Sequence, residues 1–493
     1  MIDVCLLLEG TYPYVTGGVS ACVHQIIQKT PHLSYGIIHI GVDRKTSKDY
    51  KYELPENVKF VEDIYLFEYD EHSKRKKSSL DEEDVKSLFN LFFNGETDLF
   101  KEVYQNIFNK EFHRDDPDLI FSSEGAWNEL ISRYNDKFIP TNEPSFVDYF
   151  YNWRFSLFPV IKVMKAKIPK AKVYHSLCTG YAGLLGCVAK MVHNRPFILS
   201  EHGIYVHERI IEISQANWLQ QDEDEFLNLE HRSFFKDWWI KLFTNMGQLA
   251  YDHADDITSL YQGNIRKQIK FGAAEEKINL ITNGIDVEKY SLPKITKAKN
   301  DPVHIALVGR VVPIKDIKTF VKSIAFVYVK YPQIKVSIIG PLDEDEAYYD
   351  ECVRMVKILD LENIIEFTGK KNVLEEYPKI DLMALSSISE GQPIVILEAM
   401  ASGIPFVSTD VGSCKELLIG MSEEDKDLGV CGLLVPFGDV QKMGNAILEL
   451  VQQDEVRRKM GEIAKKRVQI YYNEEDVIKK YNKLYRKNMA ELF

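Results

Sequence analysis

No apolar stretch of this 493-residue chain approaches the ~20 residues that a membrane-spanning helix needs, so the sequence predicts no direct insertion into a bilayer. Its opening, Met1-Ile2-Asp3-Val4-Cys5-Leu6-Leu7-Leu8, has no basic flank and runs straight into Glu9-Gly10, which reads as a buried first strand and not as a secretory leader. Cysteine is sparse: Cys5, Cys22, Cys178, Cys187, Cys352, Cys414 and Cys431 are odd in number, scattered, and never spaced C-x-x-C. That argues against a disulfide framework and predicts reduced core thiols. Positive charge is also short, with 61 Lys and Arg against 74 Asp and Glu and a net charge of −13. Non-specific nucleic-acid binding and electrostatic docking on an anionic leaflet are both disfavoured by that balance, so any membrane role is borrowed from a partner.

What the chain does have is the run Ser389-Glu390-Gly391-Gln392-Pro393-Ile394-Val395-Ile396-Leu397-Glu398, continued by Ala399-Met400-Ala401-Ser402-Gly403-Ile404-Pro405. Gly391 and Pro393 break an apolar strand at Asp381–Leu385, after which Ile394, Leu397, Glu398 and Ala401 recur at helical spacing. The backbone N–H groups of Gln392–Val395, with the turn at Gly391 and Pro393 leading into Ile394, are thereby placed at a helix N-terminus, where they bind an anion. Glu398, one turn on, comes within reach of neutral hydroxyls of the same ligand, because a carboxylate accepts from hydroxyls and repels phosphate. The competing reading is an ordinary amphipathic helix with one solvated glutamate.

Gly309-Arg310-Val311-Val312-Pro313-Ile314-Lys315-Asp316 follows a strand at His304–Val308, so Arg310 and Lys315 are expected at the C-terminal edge of a sheet, where open α/β folds bind ligands. Together they match the charge of a diphosphate, unless they are only a solvated surface pair. Gly17-Gly18 opens a helix after the first strand and would let backbone N–H groups approach phosphate; it is not the dinucleotide fingerprint G-x-G-x-x-G. His202 stands at a strand end in Ser200-Glu201-His202-Gly203-Ile204-Tyr205, a place where a lone histidine is more often scaffold than site. His202, His207 and Glu208 have a metal-like spacing without a second shell, and Asp343-Glu344-Asp345 and Asp222-Glu223-Asp224 read as solvated acidic loops. Arg310, Lys315 and a helix N-terminus already supply the charge a metal would, so no metal ligand is expected.

Strands alternating with helices at both ends predict an α/β chain of two parallel-sheet domains. The first is read as residues 1–295, with strands at 2–8, 35–40, 172–176, 197–200, 256–259 and 279–281 and a helical insertion at about 53–170. A polar stretch at Ser291–Asp301 reads as the linker, residues 300–475 as the second domain, and 476–493 as a final amphipathic helix.

The motifs LLLEGTYPYVTGGVS, SEHGIYVHER, ITNGID, GRVVPIKD and SEGQPIVILEAMASGIP resemble those of retaining glycosyltransferases of the GT-B fold, family four, and the opening motif is similar to that of the narrower PelF-type family of pellicle exopolysaccharide synthesis. The resemblance implies two Rossmann-like domains facing across a cleft and a final helix that crosses back to the first domain. It further implies a UDP-sugar donor with no other cofactor, a polysaccharide acceptor, a cytoplasmic location and delivery to an inner-membrane export complex. It makes His202, Arg310, Lys315 and Glu390 the catalytic set: Glu390 and His202 orient the sugar, and Gly17, Gly18, Arg310 and Lys315 hold the diphosphate. Glu398 then takes the ribose. Gly203 departs from the aspartate common after the family's histidine. A UDP-sugar 2-epimerase or a non-catalytic sugar-nucleotide binder on the same scaffold is the alternative; a phosphorylase would need a pyridoxal-binding lysine environment that is not evident.

Overall fold

The computed structural model describes all residues except 46–48, 69–79, 109–117, 139–143, 216–228, 296–297, 299–300 and 491–493. Two compact units divide the chain: unit 1 is Met1–Ser259, Ile265–Asn279 and Asn482–Phe493, and unit 2 is Leu260–Asn264 and Leu280–Tyr481.

Unit 1 is built on a seven-stranded sheet of β1 (Ile2–Glu9), β2 (Tyr35–Gly41), β3 (Val58–Tyr65), β4 (Ala171–Ser176), β5 (Phe197–Glu201), β6 (Asp256–Ser259) and β7 (Ile278–Leu280), in the order β3-β2-β1-β4-β5-β6-β7. Pairing is parallel from β3 through β6. Helices on both faces remove the need for alternation, so Val4, Cys5, Leu6, Leu7 and Leu8 are all buried in one unbroken run. The edge strand β3 lies inside the stretch that the sequence reading assigns to a helical insertion. Its charged residues Lys59, Glu62 and Asp63 are exposed, and an edge strand half in water loses the apolar continuity that marks its neighbours.

Beyond β3 the insertion is helical, with an aromatic core. Trp153 of the Phe146–Met164 helix stacks on Phe89 at 6.1 Å between ring centroids, and the Trp238 indole donates to the buried Ser156 hydroxyl at 2.9 Å. The last helix, Glu474–Ala490, begins among the residues of unit 2, and its final turns are part of unit 1. There the Tyr485 hydroxyl is 2.8 Å from His175 Nδ1, and Asn488 donates to Asp256 at 2.8 Å.

Unit 2 holds six parallel strands, β8 (Val303–Val308), β9 (Ile334–Ile339), β10 (Ile365–Gly369), β11 (Leu382–Leu385), β12 (Phe406–Thr409) and β13 (Gly432–Val435), in the order β10-β9-β8-β11-β12-β13. Successive side chains point to opposite faces. Ile305, Leu307, Leu382, Ala384 and Val407 enter one core, while Ala306, Met383, Leu385 and Phe406 enter the other. The stretch Leu280–Tyr290 is also part of unit 2: Ile285 N–H donates to Tyr472 O at 2.9 Å, Glu474 N–H donates to Ile285 O at 3.0 Å, and Tyr290 is buried. Both sheets are Rossmann-like, and the α/β class expected from the sequence is the observed one.

Candidate functional site

Unit 2 has its topological switch point where β8 pairs with β11, with the strand order running outward in both directions from that pair. Open parallel sheets bind ligands in the crevice beyond the strand ends at such a point. Arg310 and Lys315 follow β8, and Glu390 to Ile394 follow β11, so the fold brings two motifs 75 residues apart to one edge. The segment after β8 is strapped to the segment after β11. Ile388 N–H donates to Ile314 O at 2.9 Å and the Ser386 hydroxyl donates to Lys315 O at 2.8 Å, while from the end of β12 the Thr409 hydroxyl donates to Ser387 O at 2.7 Å.

Held this way, Lys315 Nζ donates to Glu390 Oε1 at 2.6 Å, and the Ser387 hydroxyl donates to the same oxygen at 2.6 Å. The pair is largely shielded, with side-chain exposures of 17% and 12%. No hydrogen bond reaches Glu390 Oε2 from the described residues, which leaves it as an open acceptor. Gly412, at φ +57°, passes so close that a Cβ there would lie 2.3 Å from Glu390 O; only glycine fits. Arg310 differs from Lys315. Half exposed, it pairs with Glu344 at 2.9 Å, a residue that the sequence reading leaves in a solvated acidic loop. The neighbouring Asp345 caps the Glu346–Ile358 helix by accepting from Tyr348 N–H at 2.9 Å.

The helix after Glu390 spans Ile394–Ala401 and is capped by Pro393, which has no N–H, so the amides available before the first intrahelical bond, Ile396 N–H to Pro393 O, are those of Ile394 and Val395. The side chain of Gln392 is committed internally: Oε1 accepts from Asn283 N–H at 2.6 Å, and Nε2 donates to Leu260 O at 3.4 Å. One turn along, Glu398 accepts from Tyr290 OH at 2.9 Å on Oε1 and from Tyr377 OH at 2.5 Å on Oε2. Burial pushes the Glu398 carboxyl above its ordinary range, and the two hydroxyl donors pull it back. Ser387, Tyr290 and Tyr377 are absent from the motif reading. Tyr290 lies 108 residues from Glu398, and no local pattern marks it.

In unit 1, Gly17 is exposed and extended, and Gly18 opens the Gly18–Lys29 helix. His202 follows β5, and burial lowers its imidazole to about 4, so it acts as a neutral hydrogen-bonding group at pH 7. Beside it, at the end of β5, stands the buried Glu201, a residue that the sequence analysis quotes without assigning a role. It accepts from Tyr251 OH at 2.5 Å, Gln268 Nε2 at 3.1 Å, Tyr205 N–H at 3.3 Å and Thr179 OH at 3.3 Å. Burial outweighs these donors and raises the carboxyl from an ordinary 4.5 to about 7. A raised acid favours its protonated form in the folded state, so its stabilising share is complete below pH 4.5 and is lost as pH rises through 7. The loss is on the order of 3 kcal/mol. Glu201→Gln is therefore expected to gain stability relative to the parent between pH 4.5 and 8, as read by denaturant unfolding at each pH. A difference independent of pH would refute this assignment.

Asp222-Glu223-Asp224 lies outside the described residues. Among the described residues no three His, Cys, Asp or Glu side chains are grouped to hold a metal ion, and no helix is long and apolar enough to cross a membrane.

Residues 2–276 match the family model described as Domain of unknown function (DUF3492), and residues 289–467 match Glycosyl transferases group 1. The N-acetyl-alpha-D-glucosaminyl L-malate synthase of Bacillus anthracis is 26% identical over 49% of this chain, which spans 62% of that relative's length. The capsular polysaccharide biosynthesis glycosyltransferase CapM of Staphylococcus aureus is 24% identical, over 64% of this chain and 76% of its own. Among solved structures, Alr3699/HepE of Anabaena in complex with UDP superposes with a TM-score of 0.59 at 15% identity, over 99% of this chain and 100% of its own, a likeness of fold. By its longest family match, which takes in more than half of its residues, the chain belongs to the DUF3492 family.

Proposed function

We propose that the chain is a retaining glycosyltransferase that moves a hexose or N-acetylhexosamine from a UDP-sugar to a growing exopolysaccharide of the Pel type, without a metal. The observation that carries this reading is the Lys315–Glu390 pair, 2.6 Å apart at the switch point of unit 2, with the helix whose first amides are those of Ile394 and Val395 starting four residues after Glu390. A donor diphosphate on those amides takes Lys315 as its counter-charge as the glycosidic bond breaks. Released from Lys315, Glu390 is an acceptor for sugar hydroxyls, and Glu398 is one for the ribose. The departing β-phosphate oxygen accepts the acceptor hydroxyl's proton on the same face, so transfer needs no separate protein base and retains the anomeric configuration. The roles of Arg310, Gly17, Gly18 and His202 in donor binding stand as part of this proposal on sequence grounds.

Support for a nucleotide donor and a polysaccharide product comes from the relatives: HepE was solved with UDP, and CapM is named for capsular polysaccharide biosynthesis. A cytoplasmic location with recruitment to an inner-membrane export complex completes the proposal. A thermal-shift panel of nucleotide sugars is the direct test, because a ligand at 100 times its Kd stabilises by about 2.7 kcal/mol. UDP-sugars are expected to raise the midpoint, and turnover with an oligosaccharide acceptor is expected to persist in EDTA. No response to any UDP compound would sink the nucleotide reading; loss of turnover in EDTA with recovery on adding a divalent ion would sink the metal-free mechanism. Formation of an epimeric UDP-sugar without acceptor would point to the epimerase instead.

A further inference from the structure

Glu398 is gripped from both sides by hydroxyls of two buried tyrosines that come from separate segments of unit 2. Tyr290 closes the short Val287–Tyr290 helix and is 8% exposed; Tyr377 opens the 3-10 turn Tyr377–Lys379 and is 1% exposed. Their ring centroids lie 6.1 Å apart, and Tyr290 is further held where its carbonyl accepts from the Ser402 hydroxyl at 3.0 Å. Water cannot readily compete for either donor at these burials. A carboxylate has about four acceptor positions, two per oxygen. One tyrosine takes one position on each oxygen, which leaves one on each in a carboxylate whose plane is set from both ends. Two fixed acceptors side by side suit two adjacent hydroxyls.

We propose that Tyr290 and Tyr377 are positioning residues that orient the Glu398 carboxylate to read a vicinal diol, so that the site selects a ribonucleotide over its 2′-deoxy counterpart. This rests on the nucleotide-sugar reading of the same site and adds to it the source of sugar discrimination. A site built to hydrogen-bond a hydroxyl rejects the analogue lacking it, because its acceptor is left unpaired. Losing one tyrosine frees the carboxylate to turn, and pre-organisation is lost before any direct contact is.

Calorimetric titration of the full chain with UDP and with 2′-deoxy-UDP tests this. The parent is expected to prefer UDP by about tenfold or more. Tyr290→Phe and Tyr377→Phe, which keep the rings and remove only the hydroxyls, are each expected to weaken UDP about three- to tenfold while leaving 2′-deoxy-UDP within about twofold. Glu398→Gln is expected to narrow the preference in the same way, and combining it with Tyr377→Phe to add little, because the two act as one unit. Equal weakening of both nucleotides, or an unchanged preference in the phenylalanine variants, would make the tyrosines packing residues only. A parent that binds both nucleotides equally would mean that Glu398 reads no diol. A parent that binds neither would overturn the nucleotide reading and this inference with it.

Discussion

Lys315→Ala is expected to lower turnover by roughly 30- to 1000-fold at saturating donor, the equivalent of about 2–4 kcal/mol of transition-state stabilisation. The size follows from where the charge stands. Lys315 is mostly shielded, and its present partner, Glu390, also receives the Ser387 hydroxyl. Ser387 therefore still satisfies Glu390 Oε1 after the lysine is removed, and the fold should survive the change. A developing phosphate charge, in contrast, loses its counter-ion at the moment the charge grows. kcat should fall much more than donor affinity, which initial-rate kinetics over a range of UDP-sugar concentrations will separate. The same substitution at Arg310 is expected to cost less, since a guanidinium 54% exposed and already paired with Glu344 is screened by solvent. Turnover of the Lys315 variant within about threefold of the parent would reduce Lys315 to a structural partner of Glu390.

Arg467→Ala should cost about 3–5 kcal/mol of stability, the range for removing one partner of a buried ion pair. Arg467 and Asp425 are both 0% exposed, and Nε donates to Asp425 Oδ1 at 2.6 Å. Its other nitrogens donate to Leu418 O, Ile419 O, Asp425 O and Gly429 O at 2.7–3.1 Å and to Cys431 Sγ at 3.3 Å. One side chain thus gathers the loop 418–431 onto the Asp454–Tyr471 helix. Alanine leaves the buried Asp425 carboxylate without its counter-charge and takes the donor from Ile419 O and Gly429 O, while Leu418 O and Asp425 O keep the N–H groups of Cys431 and Leu428. Lysine is expected to rescue little, because three donors on a point charge cannot replace a planar fork of five. Denaturant unfolding of the two variants checks this; a loss below about 1 kcal/mol for alanine would mean that water takes over the vacated positions.

The strands were legible in the sequence where both faces of the sheet are covered. Val4–Leu8, His304–Val308 and Asp381–Leu385 read as apolar runs because helices pack on either side, and burial of that kind writes itself into consecutive residues. The turn at Gly391 and Pro393, the helix from Ile394 and the placement of Arg310 and Lys315 just after a strand were legible for the same reason: each depends on a few neighbouring residues. β3 was not, since an edge strand with Lys59 and Glu62 toward water lacks that signature. What the tertiary structure alone decided is who partners whom. Lys315 meets Glu390 because the strand order sets β8 beside β11, Arg310 meets Glu344 across a loop 34 residues on, and the hydroxyls of Tyr290 and Tyr377 converge on Glu398. Local periodicity specifies an element and the face it buries; contacts between elements depend on crossover order and register, which no window of the sequence contains.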